Sequence, residues 1–249
     1  MDLSFQLYSS RSVPSQAEFI KKLSGLGYTQ VEGFGGVYDD IANLKDTMDS
    51  VNISMSSGHF GLAELEQDFD ACLSTANALE MKNIYVPYLE EKDRPVESAG
   101  YIAIAKRLMA LNGKVRDAGF EFGWHNHDFE LVPLKDGSIP LDILLNEAPA
   151  LSWEADLAWV KVGGADPLVW VEKYGSRISS VHIKDTAAEG ENIDEDGWAD
   201  VGHGTIDWKE LNAVVRKNTS NPLMIMEHDK PADPFRFASN SIDSFRSWH

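Results

Sequence analysis

Apolar strand-like runs alternate with amphipathic helix-like runs along the whole chain. LSFQLYS (3–9) leads to SQAEFIKKLSGLG (15–27), which has Ser15 as a candidate cap and glycine at its end. YTQVEGF (28–34) leads to a polar amphipathic stretch at 39–50. VNISMSSGHF (51–60) leads to a long helical pattern at 62–81, and NIYVPYL (83–89) to another at 99–119. FEFGWHNH (120–127), LSWEADLAWV (151–160), ISSVHIKD (178–185) and PLMIMEH (222–228) continue the alternation. Their helical partners lie at 139–148, 166–175, 207–218 and 234–248, and Pro167 suits a first helical turn. Strand followed by helix, repeated, favours a parallel sheet with crossover helices. Eight such units in 249 residues predict a closed (β/α)8 TIM barrel, an α/β fold spanning 1–249 as one domain. A doubly wound open sheet would want a Gly-rich phosphate turn after the first strand, and YSSRSVPS is not one.

Charge and cysteine content narrow the class. The chain has 40 acidic against 22 basic residues, a formal net charge of −18. A field of that sign repels nucleic acid and anionic membranes and disfavours highly phosphorylated substrates. The single cysteine, Cys72, excludes an intrachain disulfide and reads as a small buried hydrophobe. MDLSFQLYSS lacks a basic and then apolar leader, and no apolar run reaches the roughly 20 residues of a membrane span. The expectation is a cytoplasmic protein.

Four strand-like segments deliver a metal-type side chain as they run out: His125, Asp156, His182 and Glu227. Residues at the C-terminal ends of parallel barrel strands converge on one mouth. Two imidazoles and two carboxylates there suit one divalent cation such as Mn, Zn, Fe or Co. Strand alternation places His125 with His127, Glu154 with Asp156, and His182 with Lys184 on shared faces. Lys184 at the mouth could bind a substrate hydroxyl or polarise a carbonyl. Each residue also has a plain structural role open to it. A strand-end Asp caps the next helix, Glu227 can pair with Lys184, and His59, His203 and Glu32 can serve packing. Trp124, Trp153 and Trp159 flank the candidate ligands as core residues or as a platform for a sugar ring. The acidic, Gly-punctuated loop 186–206 lies where a substrate lid would, and a solvated surface loop is the competing reading. No nucleophile elbow, phosphate loop or CxxC pair is present.

GWHNHDFEL (123–131), WEADLAWVKVGGADPLVWVEKYGSRISSVHIKD (153–185), VGHGTIDWKEL (201–211) and IMEHDKP (225–231) together resemble the sugar phosphate isomerase/epimerase family. These are xylose isomerase-like barrels related to endonuclease IV. The resemblance covers nearly the whole chain in element order. It implies one divalent ion, manganese first with Zn, Co, Fe or Mg as alternatives, held by Asp156, His182, Glu227 and a ligand from strand five. Ketose 3-epimerases carry a glutamate in that fourth position, and His125 stands there in this chain. Glu227 is then the one carboxylate base, with His125 or His127 as second acid/base and Lys184 beside them. His59, His127, Trp159 and Lys184 are the expected substrate contacts. The implied activity is isomerisation or epimerisation of a keto-sugar or keto-polyol through a metal-bound enediolate. A keto-sugar or inosose-type lyase or dehydratase is the alternative, and a non-catalytic sugar-binding or partner subunit is the alternative of another class. A homo-oligomer is compatible with either. Endonuclease chemistry is disfavoured, because Trp159 stands where that enzyme wants another ligand.

Overall fold

The computed structural model describes residues 2–248. In chain order the elements are β1 (Ser4–Gln6), α1 (Gln16–Leu26), β2 (Gln30–Gly33), α2 (Ile41–Ser50), β3 (Ser54–His59), α3 (Leu62–Gln67), α4 (Phe69–Ala78), β4 (Asn83–Val86) and α5 (Ser98–Asp117). The second half holds β5 (Glu121–His125), α6 (Pro140–Glu147), β6 (Ser152–Asp156), α7 (Leu157–Val162), α8 (Pro167–Tyr174), β7 (Ile178–Ile183), β8 (Asp185–Thr186), β9 (Trp198–Ala199), α9 (Trp208–Asn218), β10 (Leu223–Met226) and α10 (Pro234–Arg246). β1 to β7 and β10 close in that order into a parallel barrel with the helices outside, the (β/α)8 architecture. β8 and β9 form a separate antiparallel pair above it.

Local chemistry sets the helix ends. The Ser15 hydroxyl accepts from the Glu18 N–H, and Gly27 ends α1 at φ 100°, a left-handed conformation that costs glycine little. Asp166, Asp207 and Asp233 cap α8, α9 and α10 in the same way. Two expectations need correction. The pattern at 62–81 is two helices, because Asp68 leaves the helical region at φ −129°, ψ 45°. Its N–H closes α3 on the Glu64 carbonyl while its own carbonyl starts α4, so the apolar spacing survives a broken backbone. The stretch after Asp156 is not strand: residues 157–162 form α7, capped by the Asp156 carboxylate.

The sheet separates two kinds of core. Apolar strand residues face the helices: Phe5 packs on Phe19, Tyr28 and Phe237, and Trp153 on Trp170 and Tyr174. The side chains that cross the barrel interior are polar. Glu32 on β2 reaches His182 on β7, His59 on β3 reaches Glu154 on β6, and the Tyr85 hydroxyl on β4 meets Ser179 and Ser180 on β7. Branched apolar residues usually fill such an interior. Buried charge here is costly unless paired or ligated, so the polar shaft marks where function lies. Among the described residues no helix is long and apolar enough to cross a membrane.

Candidate metal centre

His125, Asp156, His182 and Glu227 come together at the C-terminal mouth, each offering a donor atom within 4.8 Å of the others. Strand register causes this: Asp156 pairs with His182 across β6–β7, and Ile225 with His182 across β7–β10. Glu227 follows β10, its N–H held by the Ile183 carbonyl at 3.1 Å. His182 is clasped on both sides, Nδ1 lying 2.9 Å from Glu227 Oε2 and Nε2 2.7 Å from Glu32 Oε1. A carboxylate on one imidazole nitrogen fixes the ring and turns the other toward a metal, so with Glu32 on Nε2 it is Nδ1 that would face an ion at the mouth. Gln6 in turn holds Glu32 at 2.8 Å.

The donors fit a divalent ion. Asp156 Oδ1 is spent on capping α7, but its Oδ2 is buried with no hydrogen-bond partner, as is His125 Nδ1. Mixed imidazole and carboxylate donors suit Mn, Zn, Fe or Co.

Lys184 lies in the same cluster. Its ammonium is 3.3 Å from Glu227 Oε2 and 3.6 Å from Asp156 Oδ2, and it bonds Asp229. The rings of Trp159 and Trp198 cover it, and it is fully enclosed. It lines neither mouth pocket, and the pairing with Glu227 open to it in the sequence is present.

Burial and charge set the protonation states. Burial would raise Glu227, but the Lys184 and His182 charges hold it well below the usual carboxylate range. Burial, with the Glu227 charge adding, pushes Asp156 up to about 7 against Lys184. Burial would lower His182, yet Glu154, Glu227 and Glu32 lift it well above the imidazole range. His125 is held well below that range by burial and by the neighbouring imidazoles. Burial and Lys184 push His127 down to about 3, so it is neutral.

A cavity of about 540 Å³ opens over the cluster, lined by Tyr8, Phe34, Tyr88 and Glu90 with His59, His125, His127, Glu227 and Asp229. That size is ordinary for a small-molecule site. A second pocket of about 370 Å³ adjoins it through Tyr8 and Asp229, and Trp159, Trp198 and Arg11 line that one. A cavity of about 740 Å³ lies at the opposite end among Gln30, Ser56, Asn83 and Leu223, where barrels of this kind do not place chemistry. His203 is exposed and lines neither mouth pocket. Trp124 and Trp153 are core residues whose N–H groups bond Glu130 and Asn126.

The loop 186–206 is a pinned wall. The Asp185 carboxylate accepts from the N–H groups of Thr186, Gly202, Gly204 and Ile206 at 2.9–3.2 Å. Arg236 ties Glu195 and Asp200, and Lys230 ties Asp196. The loop seats Trp198 edge-on against Trp159, with ring centres 4.6 Å apart.

The structure also shows residues that sequence reasoning passed over. Asn126 accepts from Trp153 Nε1 (2.8 Å) and the Asp156 N–H (3.0 Å), and donates to the Asp156 carbonyl (3.1 Å), fixing the end of β6. Glu130 accepts from the His127 N–H at 2.9 Å and so positions His127. Glu154 faces His59 at 2.6 Å. Alternation had already placed it on the Asp156 face, which was its only signal.

No protein-family model matches the chain, and no curated protein is significantly similar to it. Solved structures do match. A sugar phosphate isomerase/epimerase from Parabacteroides distasonis aligns with a TM-score of 0.81 at 18% identity, over 99% of this chain and 93% of its own. The probable 3-DHS dehydratase of petrobactin synthesis in Bacillus anthracis aligns at 0.79 and 14%, over 99% of both chains. The IolI protein, in a structure with a bound zinc atom, aligns at 0.77 and 14%, over 100% of this chain and 98% of its own. Full-length agreement at such low identity establishes architecture, and the chain has the fold of the xylose isomerase-like TIM barrels and sugar phosphate isomerase/epimerases.

Proposed function

We propose that this protein is a divalent-metal-dependent sugar isomerase or epimerase acting on a keto-sugar or keto-polyol at the barrel mouth. The observation that carries the reading is the convergence of His125, Asp156, His182 and Glu227, with Asp156 Oδ2 buried and unpartnered. These four residues would hold the ion, and the zinc atom bound in IolI, a protein of the same fold, supports a metal in a barrel of this kind. When bound, a divalent ion supplies Lewis acidity that polarises a carbonyl and acidifies the adjacent C–H. Manganese is the ion we propose first, with zinc the nearest competitor.

The chain's own residues supply the proton chemistry. Glu227 is held anionic by Lys184 and His182 and lines the cavity, so it accepts the proton from the carbon beside the carbonyl. His127 is neutral, its Nδ1 buried without a partner, and it also lines the cavity. It is placed to exchange a proton at a substrate oxygen. Tyr88 and His59 shape the pocket wall, and Trp159 offers an aromatic face on the adjoining side. Return of the proton to another carbon or face gives isomerisation or epimerisation. Loss of a β-substituent from the same carbanion gives a lyase, a second reading favoured by the dehydratase among the neighbours.

Glu227→Gln tests the reading, since it keeps the shape and removes the basicity. Solvent deuterium incorporation into a panel of keto-sugars, followed by NMR, should fall about 10²–10⁴-fold. Near-normal exchange in the variant would move the base to a histidine of β5.

A further inference from the structure

Beneath the mouth cluster lies a second group of donors: His59, His125, Glu154 and His182, all buried and within 4.8 Å of one another. Glu32 joins them. The separations are short. His59 Nε2 is 2.6 Å from Glu154 Oε2 and 3.3 Å from Glu32 Oε1, and His125 Nδ1 is 3.3 Å from Glu154 Oε2. His182 Nε2 is 2.7 Å from Glu32 Oε1 and 3.5 Å from Glu154 Oε2. Donors each about 2.0–2.2 Å from one ion stand about 2.8–3.6 Å from each other in octahedral to tetrahedral geometry; the His59–Glu32 and His125–Glu154 edges fall in that range and the His59–Glu154 edge is shorter. Three atoms here are buried with no hydrogen-bond partner: Glu154 Oε1, Glu32 Oε2 and His125 Nδ1. Nothing in the proton chemistry at the mouth uses Glu154 or Glu32 directly.

We propose that this floor of the barrel is a second divalent-cation site, ligated by His59 Nε2, His125 Nδ1 and the carboxylates of Glu154 and Glu32. The ligands divide cleanly between the two sites. A neutral imidazole has one lone pair. With Nε2–H donated to Glu32, His182 in its neutral form would keep Nδ1 for the mouth. His125 turns its unpartnered Nδ1 to the floor, so the mouth keeps Asp156, His182 and Glu227 when both ions are bound. Charge also balances, because two carboxylates and one divalent ion sum to zero. The competing arrangement is a protonated His59 that merely pairs with Glu154. The inference goes beyond the proposed reaction, since the mouth ion needs neither His59 nor Glu154.

The test is stoichiometry. Metal-stripped protein is dialysed against Mn²⁺ alone, and separately Zn²⁺ alone, and bound metal is measured by elemental analysis. The expected result is about two ions per chain, falling to one in Glu154→Gln and in His59→Gln with circular dichroism unchanged. A wild-type count that neither Glu154→Gln nor His59→Gln lowers, whether one ion or two, overturns the floor site. Asp156→Asn separates the two readings: it should also leave one ion, and two remaining ions would sink the mouth site while the floor site stands. If the Glu154 variant does not fold, anomalous scattering from wild-type crystals soaked in Mn²⁺ decides. A peak about 2.0–2.3 Å from His59 Nε2 and Glu154 is expected, and no peak there refutes the proposal.

Discussion

Asn126 shows how much of this centre depends on a buried residue that lines neither mouth pocket. Its amide bonds the Trp153 indole and both backbone groups of Asp156. Asn126→Ala would strand two buried donors and one acceptor, each worth about 1–3 kcal/mol. We expect a folded but destabilised protein whose affinity for Mn²⁺ drops about 10–100-fold, the usual cost of losing a supporting partner. Calorimetric titration checks this, and wild-type affinity would show that Asp156 is placed by its strand alone. Glu130 carries a second residue-scale prediction. Burial outweighs the two N–H groups it accepts and pushes it up to about 8. A carboxyl raised above its unfolded value contributes stability that is complete below about pH 4.5 and fades as pH rises through 8. Denaturant unfolding across pH 5–9 should show that decline, and Glu130→Gln, though less stable, should lack the part due to this residue. At this scale the sequence was legible where strands end. His125, Asp156, His182 and Glu227 could be read because alternation and strand termini fix where a side chain points. Asn126, Glu130 and Asp229 could not, because their partners are set by tertiary contacts that no local period encodes.

The elements around the mouth are legible to different degrees for a related reason. Helices with caps and glycine stops, such as α1, appear where their residue chemistry puts them. The break at Asp68 and the short helix α7 do not, since one residue leaving the helical region disturbs no apolar period. The wall 186–206 looks like a flexible acidic loop from composition alone, yet one carboxylate, Asp185, organises it through four backbone N–H groups. Glycine is required at 204 because a Cβ there would sit 2.3 Å from Asp185 Oδ1. Gly204→Ala must therefore displace the carboxylate, and each charge-assisted bond lost costs about 1.5–3 kcal/mol. The expected result is protease cleavage within 186–206 under conditions where the wild type stays intact, and a fluorescence change as Trp198 leaves Trp159. Equal protease resistance would mean that the Arg236 and Lys230 ties suffice to hold the wall.

Across the whole molecule, barrel closure and buried charge act together. Closing eight parallel strands brings residues from β2 and β7, or β3 and β6, within hydrogen-bond distance despite sequence separations of 150 and 95. That is why Glu32 and His59 carried no decisive signal in sequence: their meaning depends on strands across the ring. The same closure gathers Asp156, Glu227 and Asp229 around Lys184, and Glu32 and Glu154 around His59 and His182, in a chain that already has a net charge of −18. An ion that binds this arrangement cannot find it in the unfolded chain, so binding free energy becomes folding free energy. At a hundredfold excess over the dissociation constant, one site contributes about 2.7 kcal/mol. For a chain of this length each kcal/mol shifts Tm by about 2–4 °C, so Mn²⁺ or Zn²⁺ should raise Tm by roughly 5–10 °C over protein kept in chelator. Differential scanning calorimetry measures the shift, which Asp156→Asn should reduce. A Tm that ignores both chelator and added metal would mean that the buried carboxylates are balanced by Lys184 and protonated histidines alone, and that the polar shaft is structural.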